Sequence, residues 1–333
     1  MPRTEETNQL SRLSFFGLFA CLAMIAAACS TTAKVSGPTT TSTTTAQGST
    51  TTTSVSGTTS TEPTVSSGGM PPPPGYTRRR LIFDDRFSGT RLDTTKWTTA
   101  LGAQGIVWND YGSLPLPYSG ANMPGADNIA MFGPSQVSVD NGLTLTAQRN
   151  TNQYAGTYPW ISGIVTTEGK FSLPAGGWYV QVKAKMPDTS TGMWPAIWFM
   201  PDTATSPTVE IDGHEGGATG SGFPINDAGH SNYFAKSGTV SSFWNAGADM
   251  SAGYHIFGVE FIPGVSVKCY FDGVLVFQVL ASSGVTITAG TYEIILQLEV
   301  AGQQISGSHT VATGATPPAT MDVAEVQAYS FPF

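Results

Sequence analysis

Short segments that alternate between apolar and polar residues recur along most of this 333-residue chain. Gln136–Gln148 contains the pair Asn141-Gly142, and Val265–Val279 contains Asp272-Gly273. Alternation places every second side chain on one face of a β-strand, and Asn-Gly and Asp-Gly pairs favour tight hairpin turns. Further alternating segments are Trp178–Met186, Tyr254–Phe261 and Tyr292–Val300. The pattern predicts an all-β antiparallel sandwich or barrel.

Three carboxylates lie within the six residues Glu210-Ile211-Asp212-Gly213-His214-Glu215. On a regular strand, Glu210 and Asp212 share a face, whereas Glu215 points to the other face. One bulged residue would bring Glu215 to the shared face, and Gly213 is the residue type that tolerates the backbone angles of a bulge. The segment therefore predicts a bulged strand with a row of three acids on one face.

Paired carboxylates are the groups that glycoside hydrolysis requires, because one protonates the leaving oxygen and the other attacks the sugar or activates water. We predict that Glu210 and Glu215 form this pair. Asp212 is expected to hold a proton or a hydrogen bond that keeps their pKa values apart. The alternative is a solvated acidic strand or a cation site. Calcium loops usually interleave Asp and Asn with Gly, however, and Val209 and Ile211 favour a strand.

Two tryptophans and a histidine are candidate substrate-binding residues. Trp194 and Trp198 alternate on one strand face, although Pro195 between them predicts an irregular or edge position. Tryptophan rings bind sugars because the C–H face of a pyranose is apolar, but filling of the core is an equally good interpretation. His230 is interpreted either as a strand residue of the cleft or as an ordinary surface histidine. The four histidines show no paired spacing typical of metal ligands.

The N-terminal part of the chain predicts export followed by a spacer. Residues 1–29 contain two arginines before the apolar stretch Leu13–Ala28, which is typical of a signal peptide. The stretch ends in Ala-Ala-Ala-Cys29, which resembles a bacterial lipoprotein cleavage site with Cys29 lipidated; cleavage without lipidation is the alternative. Residues 30–75 are rich in Thr, Ser, Gly and Pro and predict a disordered linker. Residues 76–333 are expected to form one all-β domain.

Charge and cysteine usage restrict the partners. The net charge is −8 and charged residues make up 11% of the chain, with no basic cluster beyond Arg78-Arg79-Arg80. Nucleic acid is therefore not expected as a partner, and a neutral polymeric substrate is. Cys269 is the single cysteine downstream of Cys29, so no disulfide framework is expected in a mature monomer, and Cys269 is predicted to be a buried structural thiol.

Taken together, these segments resemble glycoside hydrolase family 16, particularly its laminarinase-like branch with a bulged acid motif. The resemblance covers most of Leu81–Tyr329. In family order it is carried by Phe83–Thr90, Gly142–Ala147, Ala184–Pro187, Met193–Trp198, Glu210–Glu215, Tyr270–Gly273 and Met321–Tyr329. The chain departs from the family pattern at Gly213-His214, where two apolar residues are usual, at Gln297, where Asn is usual, and at Ala301–Gln304, where Gly-Gly-x-Trp is usual.

The resemblance implies a jelly-roll β-sandwich, concanavalin-like, with a concave sugar-binding cleft. It also implies retaining endo-hydrolysis or transglycosylation of a β-glucan, with Glu210 as nucleophile, Glu215 as acid/base and Asp212 assisting. Trp194 and Trp198 match positions that contact sugar. The chemistry needs no cofactor, and a structural calcium ion of the kind found in many relatives is compatible with the resemblance.

The sequence thus predicts an extracellular or cell-surface, retaining endo-β-glucanase, most simply one that cuts a β-1,3-glucan such as laminarin by double displacement. Glu210, Glu215 and Asp212 are its predicted catalytic residues. The predicted substrate-binding residues are Trp194, Trp198 and His230. Its expected partners are the polysaccharide and, only through a lipid on Cys29, a membrane. The alternatives are a carbohydrate-binding lipoprotein without turnover and a transglycosylase that remodels a wall polysaccharide.

Overall fold

The computed structural model describes residues 70, 80–99, 129–152, 155–156, 158–201, 209–235, 237–302 and 309–331. These residues all belong to one compact unit, Thr61–Phe333. The predicted signal peptide with Cys29, and the predicted linker apart from residue 70, lie outside the described residues, so these boundaries stay predictions. Within the described part of the chain, none of the helices has the length and apolarity needed to cross a bilayer.

The described residues form sixteen strands and three short 3₁₀ helices. The strands are β1 Arg80–Asp85, β2 Ala130–Phe132, β3 Val137–Val139, β4 Leu143–Arg149, β5 Trp160–Ser162, β6 Ile164–Thr166, β7 Trp178–Lys185, β8 Met193–Pro201, β9 Glu210–Glu215, β10 Ala228–Ala235, β11 Gly238–Asn245, β12 His255–Ile262, β13 Ser266–Phe271, β14 Val274–Leu280, β15 Tyr292–Val300 and β16 Ala319–Ser330. The 3₁₀ helices are Pro134–Gln136, Thr189–Thr191 and Ala281–Ser283.

Two sheets contain these strands. The larger sheet has the order β14-β13-β12-β7-β16-β4-β5-β2, with β1 paired to β16 and β3 paired to β4. The smaller sheet has the order β11-β10-β9-β8-β15-β6 and carries the three acids on β9. Of the pairings in the two sheets, only β2 with β5 is parallel within the described residues. The predicted all-β, two-sheet architecture is confirmed.

The predicted hairpin at Asp272-Gly273 is present. The two residues join β13 to β14 with φ values of 47° and 80°. Positive φ at both central residues is the geometry of a type I′ turn, which Asp-Gly pairs favour because glycine has no Cβ to clash. The turn thereby fixes the register of the hairpin at the end of the larger sheet.

The core lies between the two sheets and is filled by alternating side chains from both. Val180 and Val182 of β7 contribute from the larger sheet, and Ile197 and Phe199 of β8 contribute from the smaller one. Cys269 also belongs to this core, where burial raises the pKa of its thiol to about 12. The prediction that Cys269 is a buried structural thiol is therefore confirmed.

The prediction of an irregular or edge position at Pro195 is wrong. Pro195 lies inside β8, which has β9 on one side and β15 on the other. Its carbonyl oxygen accepts a hydrogen bond from the backbone N–H of Gly216 at 2.9 Å, just beyond the end of β9. The N–H that proline lacks would point to the same side. Proline is tolerated within the sheet because that side is where the ladder to β9 ends.

Candidate active site

Strand β9 contains the predicted bulge. Asp212 is paired with Trp198 of β8, whereas the next β8 residue, Ile197, is paired with His214. One residue of β9 therefore has no counterpart on β8, and that residue is Gly213. The pairing with β10 shifts at the same place. Because of this extra residue, Glu215 returns to the face of Glu210, as the sequence predicts.

The three acids line one open cavity on this face. Its other lining residues are Trp194, Ala196, Trp198, Gln297 and Glu299, which come from β8 and β15. Ile211 points the opposite way, into the core. The structure thus brings together five of the six predicted site residues in the lining of one cavity, and the sixth, His230, lies beside it.

Glu215 is held by three side chains. The indole N–H of Trp194 donates to its Oε1 at 3.0 Å, and Nδ1 of His230 lies 3.2 Å from its Oε2. The amide of Asn232 also donates to Oε2. Burial raises the pKa of Glu215, but the hydrogen bond and charge of His230, together with His309 and Trp194, outweigh it and lower the pKa overall.

Glu210 and Asp212 are shifted in the other direction. Burial raises the pKa of Glu210 to about 7, and the negative charge of Glu215 adds to this rise. Burial also raises the pKa of Asp212 well above its usual range, with the charges of Glu210 and Glu215 adding. The carboxyl groups of Glu210 and Asp212 share a hydrogen bond. These opposite shifts favour a proton on the Glu210–Asp212 side of the row and the negative charge on Glu215.

His230 lies on β10, directly paired with Glu215. Its Nε2 is 2.7 Å from Oγ of Ser241 on β11, and its ring stacks on Phe243 with centroids 4.6 Å apart. Only 14% of its side chain is exposed. His230 is therefore a fixed neighbour of the acid row and not an ordinary surface histidine.

The two tryptophans have different surroundings. Trp194 is partly exposed, and its ring stacks on His309 with centroids 4.0 Å apart. Trp198 is only 5% exposed and packs on the cavity face with Phe132, Ile164 and Ile295. The sugar-contact interpretation fits Trp194 directly. Trp198 serves largely as a packing residue that presents a small part of its surface to the cavity.

Three polar residues of the site were not predicted. Asn232 donates to Asp212 at 3.1 Å and also to Glu215, so it joins the two carboxylates. Gln297 is buried on β15 and donates its amide N–H to the carboxylate of Glu299. A signal for the last two exists in the sequence, because polar residues two positions apart in an otherwise apolar strand mark a shared face.

His214 takes no part in this cavity. Its ring is fully buried on the core side, with ring centroids 4.7 Å from Phe257 and 5.6 Å from Trp244. Burial lowers the pKa of its imidazole to about 3, so the ring is neutral at ordinary pH. Among the described residues, no group of three or more His, Cys, Asp or Glu side chains is placed to hold a metal ion.

Comparison with known proteins finds solved structures with this fold. No family model matches the chain. The endo-beta-1,3-glucanase from Pyrococcus furiosus superposes with a TM-score of 0.59 at 23% identity, over 76% of this chain and 95% of that one. SCLam, a non-specific endo-beta-1,3(4)-glucanase from family GH16, superposes with a TM-score of 0.60 at 20% identity, over 76% of this chain and 92% of that one. The chain therefore shares the jelly-roll sandwich fold of these endo-glucanase structures.

A curated relative is also similar to this chain in sequence. Glucan endo-1,3-beta-glucosidase A1 of Niallia circulans is 26% identical over 283 residues. The match covers 75% of this chain but only 37% of that relative's length. The predicted resemblance to family 16 and the predicted jelly-roll sandwich are confirmed. The roles of the individual site residues stay predictions.

Proposed function

We propose that this chain is a retaining endo-β-glucanase of glycoside hydrolase family 16, with a β-1,3-glucan as substrate. The observation that carries the proposal is the row of three carboxylates on β9, which lines one open cavity beside Trp194. Similar proteins named as endo-1,3-glucanases support the choice of substrate. The described lining of the cavity contains no Lys or Arg, which suits an uncharged glucan.

The proposed reaction is a double displacement. The carboxylate of Glu210 attacks the anomeric carbon while the carboxyl group of Glu215 protonates the leaving oxygen, which gives a covalent glycosyl-enzyme. Glu215, now a carboxylate, then takes a proton from water, and that water attacks the anomeric carbon and releases Glu210. Asp212 is hydrogen-bonded to Glu210 and to Asn232, so it steadies the nucleophile without contacting the leaving group.

The reacting state needs its proton on Glu215, whereas the pKa shifts of the free protein favour the negative charge there. One proton must therefore be transferred from the Glu210–Asp212 side to Glu215 before the first step. Asp212 is hydrogen-bonded to Glu210, and the amide of Asn232 donates to both Asp212 and Glu215, so Asn232 orients these two carboxyl groups without itself passing a proton. Coupled groups of this kind titrate together, so the apparent pKa values of the reaction belong to the trio.

We also propose that the protein is exported from the cell. Residues 1–29 carry the features of a signal peptide that ends at Cys29, and residues 30–75 have the composition of a flexible spacer. Together these features support a secreted enzyme, anchored to a membrane by lipid on Cys29. We also propose that it acts as a monomer. A structural calcium ion stays compatible with the family, without an assigned site.

The test is to incubate the purified chain with laminarin, lichenan, agarose, carrageenan and galactan and to measure new reducing ends. Cleavage of laminarin is expected, with retained anomeric configuration in the first product. Glu210→Gln and Glu215→Gln should each lose nearly all turnover, whereas Asp140→Asn, an exposed acid distant in sequence, should not. More than a tenth of the activity in both Glu variants would contradict the assignment. Binding without cleavage would indicate a carbohydrate-binding protein, and longer products a transglycosylase.

A further inference from the structure

Two exposed phenylalanines stand on the same face as the acid row, on the far side of β9 from Trp194. Phe234 of β10 is paired with Glu210, and Phe243 of β11 is paired with His230. Side chains of directly paired residues point to the same face of a sheet. The two side chains therefore extend the acid face toward the β11 edge of the smaller sheet.

Their distance from the acids is short. His230 lies 3.2 Å from Glu215, and the ring of Phe243 stacks on His230 with centroids 4.6 Å apart. Phe234 is one strand away from Glu210, which is about 5 Å across a sheet. Across the strands, Phe243 therefore lies on the Glu215 side and Phe234 on the Glu210 side. A polymer that leaves β9 in this direction passes between the two rings.

The described lining of the cavity lies on the other side of the acid row. It comes from β8, β9 and β15, and among the described residues none of it comes from β10 or β11. An enzyme that cuts an internal bond must bind sugar units on both sides of its acids. The units beyond β10 therefore need a binding surface, and the exposed phenylalanine rings are apolar surfaces of the kind on which pyranose rings stack.

We propose that Phe234 and Phe243 form a sugar-binding platform for neutral pyranose units on the β11 side of the acid row. The inference rests on the proposed function for its ligand, a β-glucan that crosses the acids. It goes further in assigning a second binding region and the residues that form it. A platform on this side also retains a sugar acceptor beside the glycosyl-enzyme, which favours sugar transfer in competition with water.

Binding can be measured without turnover in the full chain carrying Glu210→Gln. The dissociation constants of laminari-oligosaccharides of increasing length are determined by calorimetry. Phe234→Ala combined with Phe243→Ala should weaken binding of long oligosaccharides about tenfold or more, which corresponds to about 1.4 kcal/mol. The shortest oligosaccharides that occupy only the Trp194 side should bind unchanged. Phe243→Tyr should retain most of the binding affinity that Phe243→Ala loses, because the aromatic ring is kept.

The matched control is Leu275→Ala, since Leu275 is 44% exposed on β14 of the other sheet. It should bind every oligosaccharide as the parent does. Equal affinities in the parent and the double phenylalanine variant would overturn the platform and leave the proposed function standing. No binding of any oligosaccharide by the parent would overturn both. A concentration-dependent dimer that the double variant loses would also overturn the platform, because a second copy would then cover the rings.

Discussion

Gly213 of β9 lies directly against Val259 of β12, so the bulge in the acid strand is built at a contact between the two sheets. A Cβ on Gly213 would lie 2.4 Å from Cγ2 of Val259 and 3.2 Å from the carbonyl oxygen of Ile197. Gly213 is not among the described glycines with positive φ. The glycine is therefore required for its small size and not, as the sequence suggested, for unusual backbone angles.

Gly213→Ala should destabilise the protein by about 1–3 kcal/mol, because the new methyl group overpacks the core. It should also lower activity, since the bulge turns Glu215 toward the cavity. Adding Val259→Ala removes the clashing methyl group and should recover part of both losses. Urea unfolding and reducing-end assays provide the two measurements. Gly253→Ala is the control, because a Cβ there meets no atom within 4 Å. A Gly213→Ala protein as stable as this control would refute the packing explanation.

The alkaline limb of the pH profile should be set by the proton that the acid row shares. Burial, with the charge of Glu215 second, raises the pKa of Glu210 to about 7. The first step needs one proton, on Glu215, and the row loses this proton as pH rises through about 7, so kcat/KM should fall through this range.

Glu215→Gln separates the two causes of the raised pKa of Glu210. Substrates with a good leaving group react without a proton donor, so the first step can still be followed in this variant. Its rate should rise with pH as Glu210 ionises, and loss of the Glu215 charge should place this rise below pH 7, while the effect of burial remains. The pH dependence of the first turnover, measured with an aryl glycoside, checks this position. A rise still centred at about pH 7 would show that Glu215 carries no charge in the free protein.

The raised pKa of Glu210 also has a cost in stability. Its folded-state pKa lies above the unfolded value, so the folded state binds more protons between about pH 4.5 and pH 7 and loses stability as pH rises through this window. Glu210→Gln removes the titrating group. The variant should melt at a higher temperature than the parent at pH 8 and at a similar temperature at pH 4. The melting temperature should increase by about 2–4 °C for each kcal/mol of unfolding free energy that is recovered. Equal melting temperatures at both pH values would contradict the burial of this charge.

Local sequence patterns predicted most of the sheet and the acid row. Alternation and turn pairs depend only on neighbours along the chain, so the β13–β14 hairpin and the bulge of β9 could be recognised. Pro195 was misjudged because its tolerance depends on where the neighbouring strand β9 ends, which is a property of sheet order. The pKa shifts of the three acids could not be predicted from sequence either, because burial and partners such as His230 determine them.

The residues that support the acids come from strands distant in the chain. Asn232 reaches Asp212 and Glu215 from β10, and Glu299 reaches the cavity from β15. Which residues of one strand face those of another depends on register, and a single-residue slip would move every side chain to the other face. Sequence alone shows the polar residues in these strands but not the acids beside which they lie.

Glu299 should act as a charge filter for the substrate. It lines the same cavity as the three acids of β9, where the described lining contains no Lys or Arg. A fourth carboxylate repels sulfate or carboxyl groups on a polymer by roughly 1–3 kcal/mol at partly screened distances. Glu299→Gln keeps the shape and a polar partner for Gln297 but removes the charge. The ratio of kcat/KM for a partly sulfated laminarin to that for laminarin should therefore rise about tenfold at low salt, and less at 0.5 M salt, where screening is stronger.

Asp140→Asn removes one exposed charge elsewhere and should leave the ratio unchanged. An equal rise in this control would assign the effect to net charge, and no rise in Glu299→Gln would show that the carboxylate does not face the bound polymer.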